Sequence, residues 1–340
     1  MRPVLVIVPS FITKTSHLLI MIRERSRSLR LPRDVDKRAL VVELAVILAV
    51  LVGIQVYVNL LDSIVRPVKP LAETVGLDRH FAGTAVRGLL VLGGLGAFAA
   101  AFASARNSSI PRSIPSRDAV GLITLASVAG ALLALGTLLP AAIVYGLDPD
   151  HLVAGLAAVP GTLFGRTAIS IAVFVGGMTI LYHGLVQGAL GHLFDRDRTV
   201  VATVLLSAYV VTPQFGISAM PIHGGPWLTL TPERTVVAVL CLVAAVASLY
   251  TYQAADDSRI QRVALLPVGL ALVLAVVVLA VRITTPWDLL AVTTRIALVG
   301  VAAYASARSE SLLGAAATYG AYALVSLIGH SVAIAAVFGG

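Results

Sequence analysis

The amino-acid sequence predicts an all-α, polytopic integral membrane protein, a bundle of about nine transmembrane helices. Three observations predict this fold class. Of 340 residues, 58% are apolar and only 12% are charged, whereas roughly a quarter of the residues in a soluble domain are charged. The mean hydropathy is +0.94, and stretches of about 20 apolar residues, the length that crosses a bilayer as a helix, recur along nearly the whole chain. An ordinary soluble fold is therefore excluded.

The first 38 residues differ from the rest because they carry nine basic side chains. We interpret 1–38 as a basic cytoplasmic segment and 39–340 as one multi-span membrane domain. The apolar run at 4–12 is too short to span a bilayer. It is interpreted either as a membrane-surface helix or as an over-extended start upstream of Met21.

Nine apolar stretches of membrane-spanning length follow this segment. Many of their residues are Gly and Ala, which let helices approach closely where lipid supplies no hydrophobic drive for association. We predict spans at 40–60, 86–105, 119–140, 167–190, 199–220, 235–254, 263–281, 287–306 and 312–337.

The distribution of basic residues predicts the orientation of these spans. With a cytoplasmic N-terminus and nine crossings, 17 Lys and Arg lie inside and seven lie outside, as the positive-inside rule requires. The sequence therefore predicts a multi-pass protein of the cell membrane with its C-terminus outside. The formal charge of +8 is explained by this asymmetry, so the bilayer is the expected partner and nucleic acid is not.

The fourth span carries the first candidate functional site. Thr179, His183 and Gln187 recur at i, i+4 and i+8, which places them on one stripe of a helix. Such a stripe is expected to face protein rather than lipid. It is either a site in the bundle interior or a set of interhelical hydrogen bonds, which hold polar side chains in many membrane bundles.

Arg295 is the second candidate because it lies well inside the eighth span. Only 12 small or apolar residues follow it before Arg308, about 18 Å of helix, so it must sit in the span or draw water and headgroups toward it. Three roles are open for it: it holds an anionic group, it fixes a helix pair, or it snorkels to the outer interface.

Acidic residues are scarce in the predicted spans, where only Glu43 and Asp288 occur, both near span ends. A single cysteine, Cys241, excludes a thiolate metal cluster.

Residues 177–192, Gly-Met-Thr-Ile-Leu-Tyr-His-Gly-Leu-Val-Gln-Gly-Ala-Leu-Gly-His, resemble the first signature of the CPBP intramembrane metalloproteases. This family is also called the type II CAAX prenyl endopeptidase-like or Abi family. Its first signature is similar to Glu-Glu-Leu-Leu-Phe-Arg-Gly-Leu-Leu-Gln-Gly-Ala-Leu. The segment 309–323 resembles the region that carries the family's His-x-x-x-Asn motif. The resemblance covers 167–220 and 296–325, and implies a CPBP-like core at about 167–220 and 287–337.

The departures from the family pattern fall on the residues of its chemistry. Met178 and Thr179 stand in place of the two glutamates, and His183 in place of the arginine. Tyr319 and Ala323 stand in place of the histidine and asparagine of the third motif. In the family, the glutamates and histidines build a metal site that activates water, and this chemistry cannot proceed without them. The resemblance thus implies the fold and argues against the activity.

Three functions are consistent with these observations. The first is a catalytically inactive CPBP-like protein that binds or regulates another membrane protein, with no catalytic residue, metal or cofactor. The second is a transporter of a small solute or lipid that uses Arg295 and the stripe. The third is an active peptidase with a displaced zinc site at His183, His192, His223 or His330. The candidate binding or interior residues are Thr179, His183, Gln187, Arg295 and Tyr319.

Overall fold

The computed structural model describes residues 78–105, 115–145, 161–211 and 283–338, with scattered positions between 43 and 76 and between 236 and 281. The described residues form helices and turns without a strand, which confirms the all-α prediction. Residues 1–38 lie outside this part of the chain.

Six helices account for the continuous ranges. They are α1 (Arg79–Ala105), α2 (Arg117–Tyr145), α3 (Gly161–Met178, continued to Leu190), α4 (Arg196–Val211), α5 (Pro286–Ser309) and α6 (Leu312–Phe338). In its last part α3 is a π-helix over Thr179–Val186, here called the π segment, followed by an α-helical turn, Gln187–Leu190. The π segment contains most of the polar stripe predicted from the sequence.

Side-chain caps fix where the helices begin. Oδ1 of Asp78 accepts from the backbone N–H of Phe81 at 2.6 Å, and Oδ1 of Asp195 accepts from that of Arg198 at 2.9 Å. Helix α5 begins with a capping box in which Thr285 and Asp288 each accept from the other's backbone N–H. These bonds satisfy N–H groups that have no partner within the helix.

Four helices of the described ranges are long and apolar enough to cross a membrane. They are Phe81–Ser104, Arg117–Pro140, Ala168–Leu190 and Pro286–Ser309, and they coincide with four of the nine predicted spans. The count of nine is not supported, because only these four helices meet the criteria among the described residues; the predicted span 199–220 is described only as far as Val211. The predicted spans at 40–60, 235–254 and 263–281 fall on positions described only in part.

The π segment lies at the centre of the bundle, where it packs against α1, α4, α5 and α6. In the span Ala168–Leu190, 61% of the residues are buried, against 17% in Arg117–Pro140. Helices α1 and α3 run parallel, because a Cβ on Gly88 would meet Val173 whereas one on Gly176 would meet Leu92. The fourth predicted span is therefore the core helix, and α2 lies at the periphery.

The turns α3–α4 and α5–α6 lie together at one end of the bundle, called here the charged end. Arg196 is paired with Glu310, and Arg308 with Asp197 at 3.1 Å. Glu310 ends α5 with a left-handed backbone, φ 53°, which lets α6 begin two residues later. Helices α4 and α5 are thus antiparallel, and α3 and α5 end at the same level.

Candidate functional site

The stripe of the fourth span forms a buried hydrogen-bonded network with α5 and α6. Nδ1 of His183 lies 2.8 Å from Oε1 of Gln187, and Nε2 lies 2.8 Å from the hydroxyl of Tyr319. The amide nitrogen of Gln187 donates to the carbonyl of Ala303 at 3.0 Å. We call these four groups the histidine layer. It joins α3, α5 and α6, so the stripe faces protein, as predicted.

The network allows only one direction for its protons. Because the amide nitrogen of Gln187 is committed to Ala303, its oxygen faces His183 and accepts from Nδ1–H. The remaining nitrogen, Nε2, then accepts from the hydroxyl of Tyr319. The imidazole is neutral in this arrangement, and both of its nitrogens are occupied. A metal ion at His183 would have to displace Tyr319.

The position of Tyr319 is fixed by close packing on both sides of α6. The ring of Phe174 meets Tyr319 edge-on at 5.9 Å between centroids. On the other side, Gly130 of α2 lies so close to the backbone carbonyl of Thr318 that a Cβ there would overlap it. The absent side chain at Gly130 therefore lets α2 press α6 toward the π segment.

Arg295 does not belong to this network. Its guanidinium interacts with the side chain of Tyr322 on α6, and within the described part of the chain its Nη1 is buried without a hydrogen-bond partner. Arg295 lies nine residues after Pro286 and 14 before Ser309, about 14 and 21 Å of helix, so it is inside the span from either end.

Thr179 reaches the same level of the bundle as Arg295. Gln187 meets Ala303 and α3 runs parallel to α5, so eight residues back along each helix bring Thr179 and Arg295 to about the same level of the bundle. Tyr322 is one turn beyond Tyr319 on the antiparallel α6 and reaches this level too. Thr179 is buried, and its hydroxyl has no partner among the described residues. We call Thr179, Arg295 and Tyr322 the arginine layer.

The other residues singled out from the sequence lie apart from both layers. His192 is exposed in the turn after α3. His223 lies outside the described residues, as does the side chain of His330. Asp288 caps the start of α5, near a span end as predicted, whereas Glu43 is buried. Within the described ranges, no three His, Cys, Asp or Glu side chains group as metal ligands would.

Two members of the layers were missed by the sequence analysis. Ala303 acts through its backbone carbonyl, which no side-chain pattern reveals. Tyr322 could have been found, because Tyr319, Tyr322 and Ser326 recur at i, i+3 and i+7 and so form a polar stripe on α6 like the one on α3. No protein-family model, curated protein or solved structure matches the chain. The geometry of the two layers thus carries the functional proposal.

Proposed function

We propose that the chain is an integral membrane protein with a CPBP-like helical core that lacks peptidase chemistry and acts by binding another membrane protein. The proposal is supported by one contact. The resemblance predicts that His183 lies near Tyr319, 136 residues away, or near 209–215, and His183 and Tyr319 are hydrogen-bonded at 2.8 Å. This pairing is expected if 177–192 and 309–323 occupy the places of the family's first and third motifs.

The side chains of the histidine layer are unsuited to hydrolysis. Intramembrane hydrolysis needs a carboxylate or a metal ion to activate water. At the first motif, Met178 is buried and apolar, and Thr179 carries only a hydroxyl. At the third motif, the hydroxyl of Tyr319 is hydrogen-bonded to Nε2 of His183, so that nitrogen is occupied. The residues present hold helices together and leave neither a base nor a ligand set.

The catalytic part of the proposal is tested on the purified full chain in phosphatidylcholine vesicles. We expect no cleavage of a farnesylated CAAX peptide and less than 0.1 zinc per chain, by elemental analysis after a chelator wash. His183→Ala serves as the matched variant. One zinc per chain that is lost in His183→Ala, with cleavage lost in parallel, would contradict the proposal and favour the enzyme with a displaced site.

The binding part is tested by photo-crosslinking in cells. Helix α2 is the described span with the least buried surface, and Leu125 and Leu132 are 66% and 60% exposed, whereas Ala134 is fully buried. A photoreactive residue at 125 or 132 is expected to give a discrete protein adduct, and one at 134 none. Adducts with lipid alone at both exposed positions would contradict protein binding through α2.

We further propose that the charged end faces the cytoplasm in the cell membrane, with the N-terminus inside and the C-terminus outside. The support is the excess of basic residues on that side, including Arg196, Arg198 and Arg308. Reporter fusions at the turns 191–195 and at the C-terminus test this. A C-terminal reporter found in the cytoplasm would mean an even number of spans.

A transporter of a small solute or lipid is the second candidate, favoured by the unpartnered Nη1 of Arg295. A charge inside a span is costly and usually marks a pathway or a ligand. Flux of an anionic solute or lipid across vesicles that contain the protein, abolished in Arg295→Gln, would favour this function over binding alone. Flux equal to that of protein-free vesicles would contradict it.

A further inference from the structure

We propose that the arginine layer is a binding site for an anionic oxygen group, a carboxylate or a phosphate, inside the membrane between α3, α5 and α6. The site goes beyond the proposed binding of a membrane protein, and it names a ligand class for the transporter candidate without requiring transport. Two independent observations carry it. Nη1 of Arg295 is buried without a hydrogen-bond partner in the described part of the chain, and so is the hydroxyl of Thr179 on the facing helix.

The cost of these unpartnered groups argues for a ligand. A buried hydrogen-bonding group without a partner destabilises the folded chain, and a charged one does so most. Among the described residues, Arg295 interacts with the side chain of Tyr322, whose neutral hydroxyl carries no charge to compensate the guanidinium. An anion supplied from outside the chain would neutralise it.

The chemistry of the donors selects the ligand. A guanidinium presents its N–H groups in a planar fork that matches the two oxygens of a carboxylate or phosphate. Thr179 adds a neutral hydroxyl donor at the same level. Ser326, one turn beyond Tyr322 on α6, is buried, and its hydroxyl also lacks a partner within the described residues. The layer would therefore offer an oxyanion one fixed positive charge from α5 and neutral hydroxyls from α3 and α6.

The histidine layer closes one side of this site. Its groups are committed to one another, and it lies between the arginine layer and the charged end. An anion is therefore expected to enter from the opposite end of the bundle or sideways from the lipid. The phosphate of an anionic phospholipid and a free soluble anion share the required chemistry.

Native mass spectrometry of the purified full chain distinguishes these two sources. One arm adds phosphatidylglycerol, with phosphatidylcholine as the uncharged reference, and the other arm measures thermal stabilisation by inorganic phosphate or acetate. The variants are Arg295→Gln, Arg295→Lys and Thr179→Val. The matched control is Arg308→Gln, on the same helix but in an ion pair at the charged end.

We expect saturable binding in at least one arm, weakened tenfold or more in Arg295→Gln and unchanged in Arg308→Gln. Thr179→Val is expected to weaken binding about threefold, and Arg295→Lys to retain part of it.

Binding of phosphatidylglycerol alone identifies a lipid, and stabilisation by phosphate or acetate identifies a soluble anion. No saturable binding by the wild type would overturn the proposal, as would binding by a folded Arg295→Gln within twofold of the wild type. If Arg295→Gln does not fold, Thr179→Val decides by the same criterion. None of these outcomes depends on the peptidase or crosslinking results.

Discussion

The histidine layer and the arginine layer are built from the same three helices, but they differ in how their polar atoms are satisfied. In the histidine layer, every side chain has a partner on a neighbouring helix, ending at the carbonyl of Ala303. In the arginine layer, Arg295 and Thr179 each have a buried donor without a partner among the described residues. A saturated network fixes helix positions, whereas an unsaturated one retains the capacity to bind. The stripe on α3 thus contributes to both, with His183 and Gln187 in one layer and Thr179 in the other.

The largest effect on the histidine layer is expected at Gly130, which lies on the far side of α6 from this layer. In Gly130→Ala, the new Cβ would overlap the carbonyl of Thr318, so α6 must shift beside Tyr319. We expect a loss of about 1 to 3 kcal/mol in unfolding free energy, the usual cost of overpacking. Unfolding in mixed micelles measures it.

Gly136→Ala is the matched control, on the same helix with open space at its Cβ. Alanine is preferred to glycine in a helix by about 1 kcal/mol, so this variant should be unchanged or slightly more stable. Equal losses in the two variants would contradict a specific contact between α2 and α6.

The saturated character of the histidine layer is tested by a double-mutant cycle on His183→Phe and Tyr319→Phe. Interhelical hydrogen bonds in membranes contribute about 0.6 to 2 kcal/mol, so the two substitutions should couple by about that amount. Each single variant should still fold, because the layer is one contact among many in a packed bundle. Additive effects in the cycle would mean that the bond between His183 and Tyr319 adds no stability.

In the arginine layer, removal of the buried charge is expected to preserve or raise stability rather than lower it. Replacing a buried charge by an apolar side chain of similar size is often neutral or stabilising by about 1 to 4 kcal/mol. In phosphatidylcholine, without added anion, Arg295→Met should therefore be as stable as the wild type or more stable. Thermal unfolding measures this. A clear loss of stability would indicate that Arg295 is a structural residue satisfied within the bundle.

The smallest effect is expected at the charged end, outside both layers. Arg196 and Glu310 form an ion pair, but their side chains are 45% and 71% exposed. Exposed pairs contribute about 0 to 1 kcal/mol and are screened by salt. Arg196→Gln should therefore lower the unfolding free energy by about 1 kcal/mol or less, and the difference should vanish at high salt. A change that persists at high salt would show that the pair orders the two turns.

The sequence predicted the class of fold because composition alone decides it. In lipid, a long apolar stretch can satisfy its own backbone hydrogen bonds only as a helix, and four of the predicted spans are found as such helices. The number of spans was less predictable. Among the described residues, four helices have the length and composition to cross a membrane, and the predicted span 199–220 is described as a helix only as far as Val211.

The sequence also identified the stripe of Thr179, His183 and Gln187, because polar groups at helical spacing in an apolar segment must face protein. The partners were harder to predict. Tyr319 was expected near His183 from the resemblance, and the structure places it there. Ala303 was not expected, because a backbone carbonyl leaves no side-chain pattern. Tyr322 was missed although Tyr319, Tyr322 and Ser326 recur at helical spacing on α6.

By itself, the sequence determined that the chain is a helical membrane protein with a few polar side chains turned toward its interior. Only the tertiary structure decided which of these are satisfied. Two residues four positions apart on one helix, Thr179 and His183, differ because the helices that face them present different groups. Tyr319 approaches His183 within hydrogen-bonding distance, whereas no described group does so for the hydroxyl of Thr179. Whether a buried polar atom finds a partner depends on the distances between helices. Those distances are set by packing contacts between residues far apart in the sequence, such as Gly130 and Thr318.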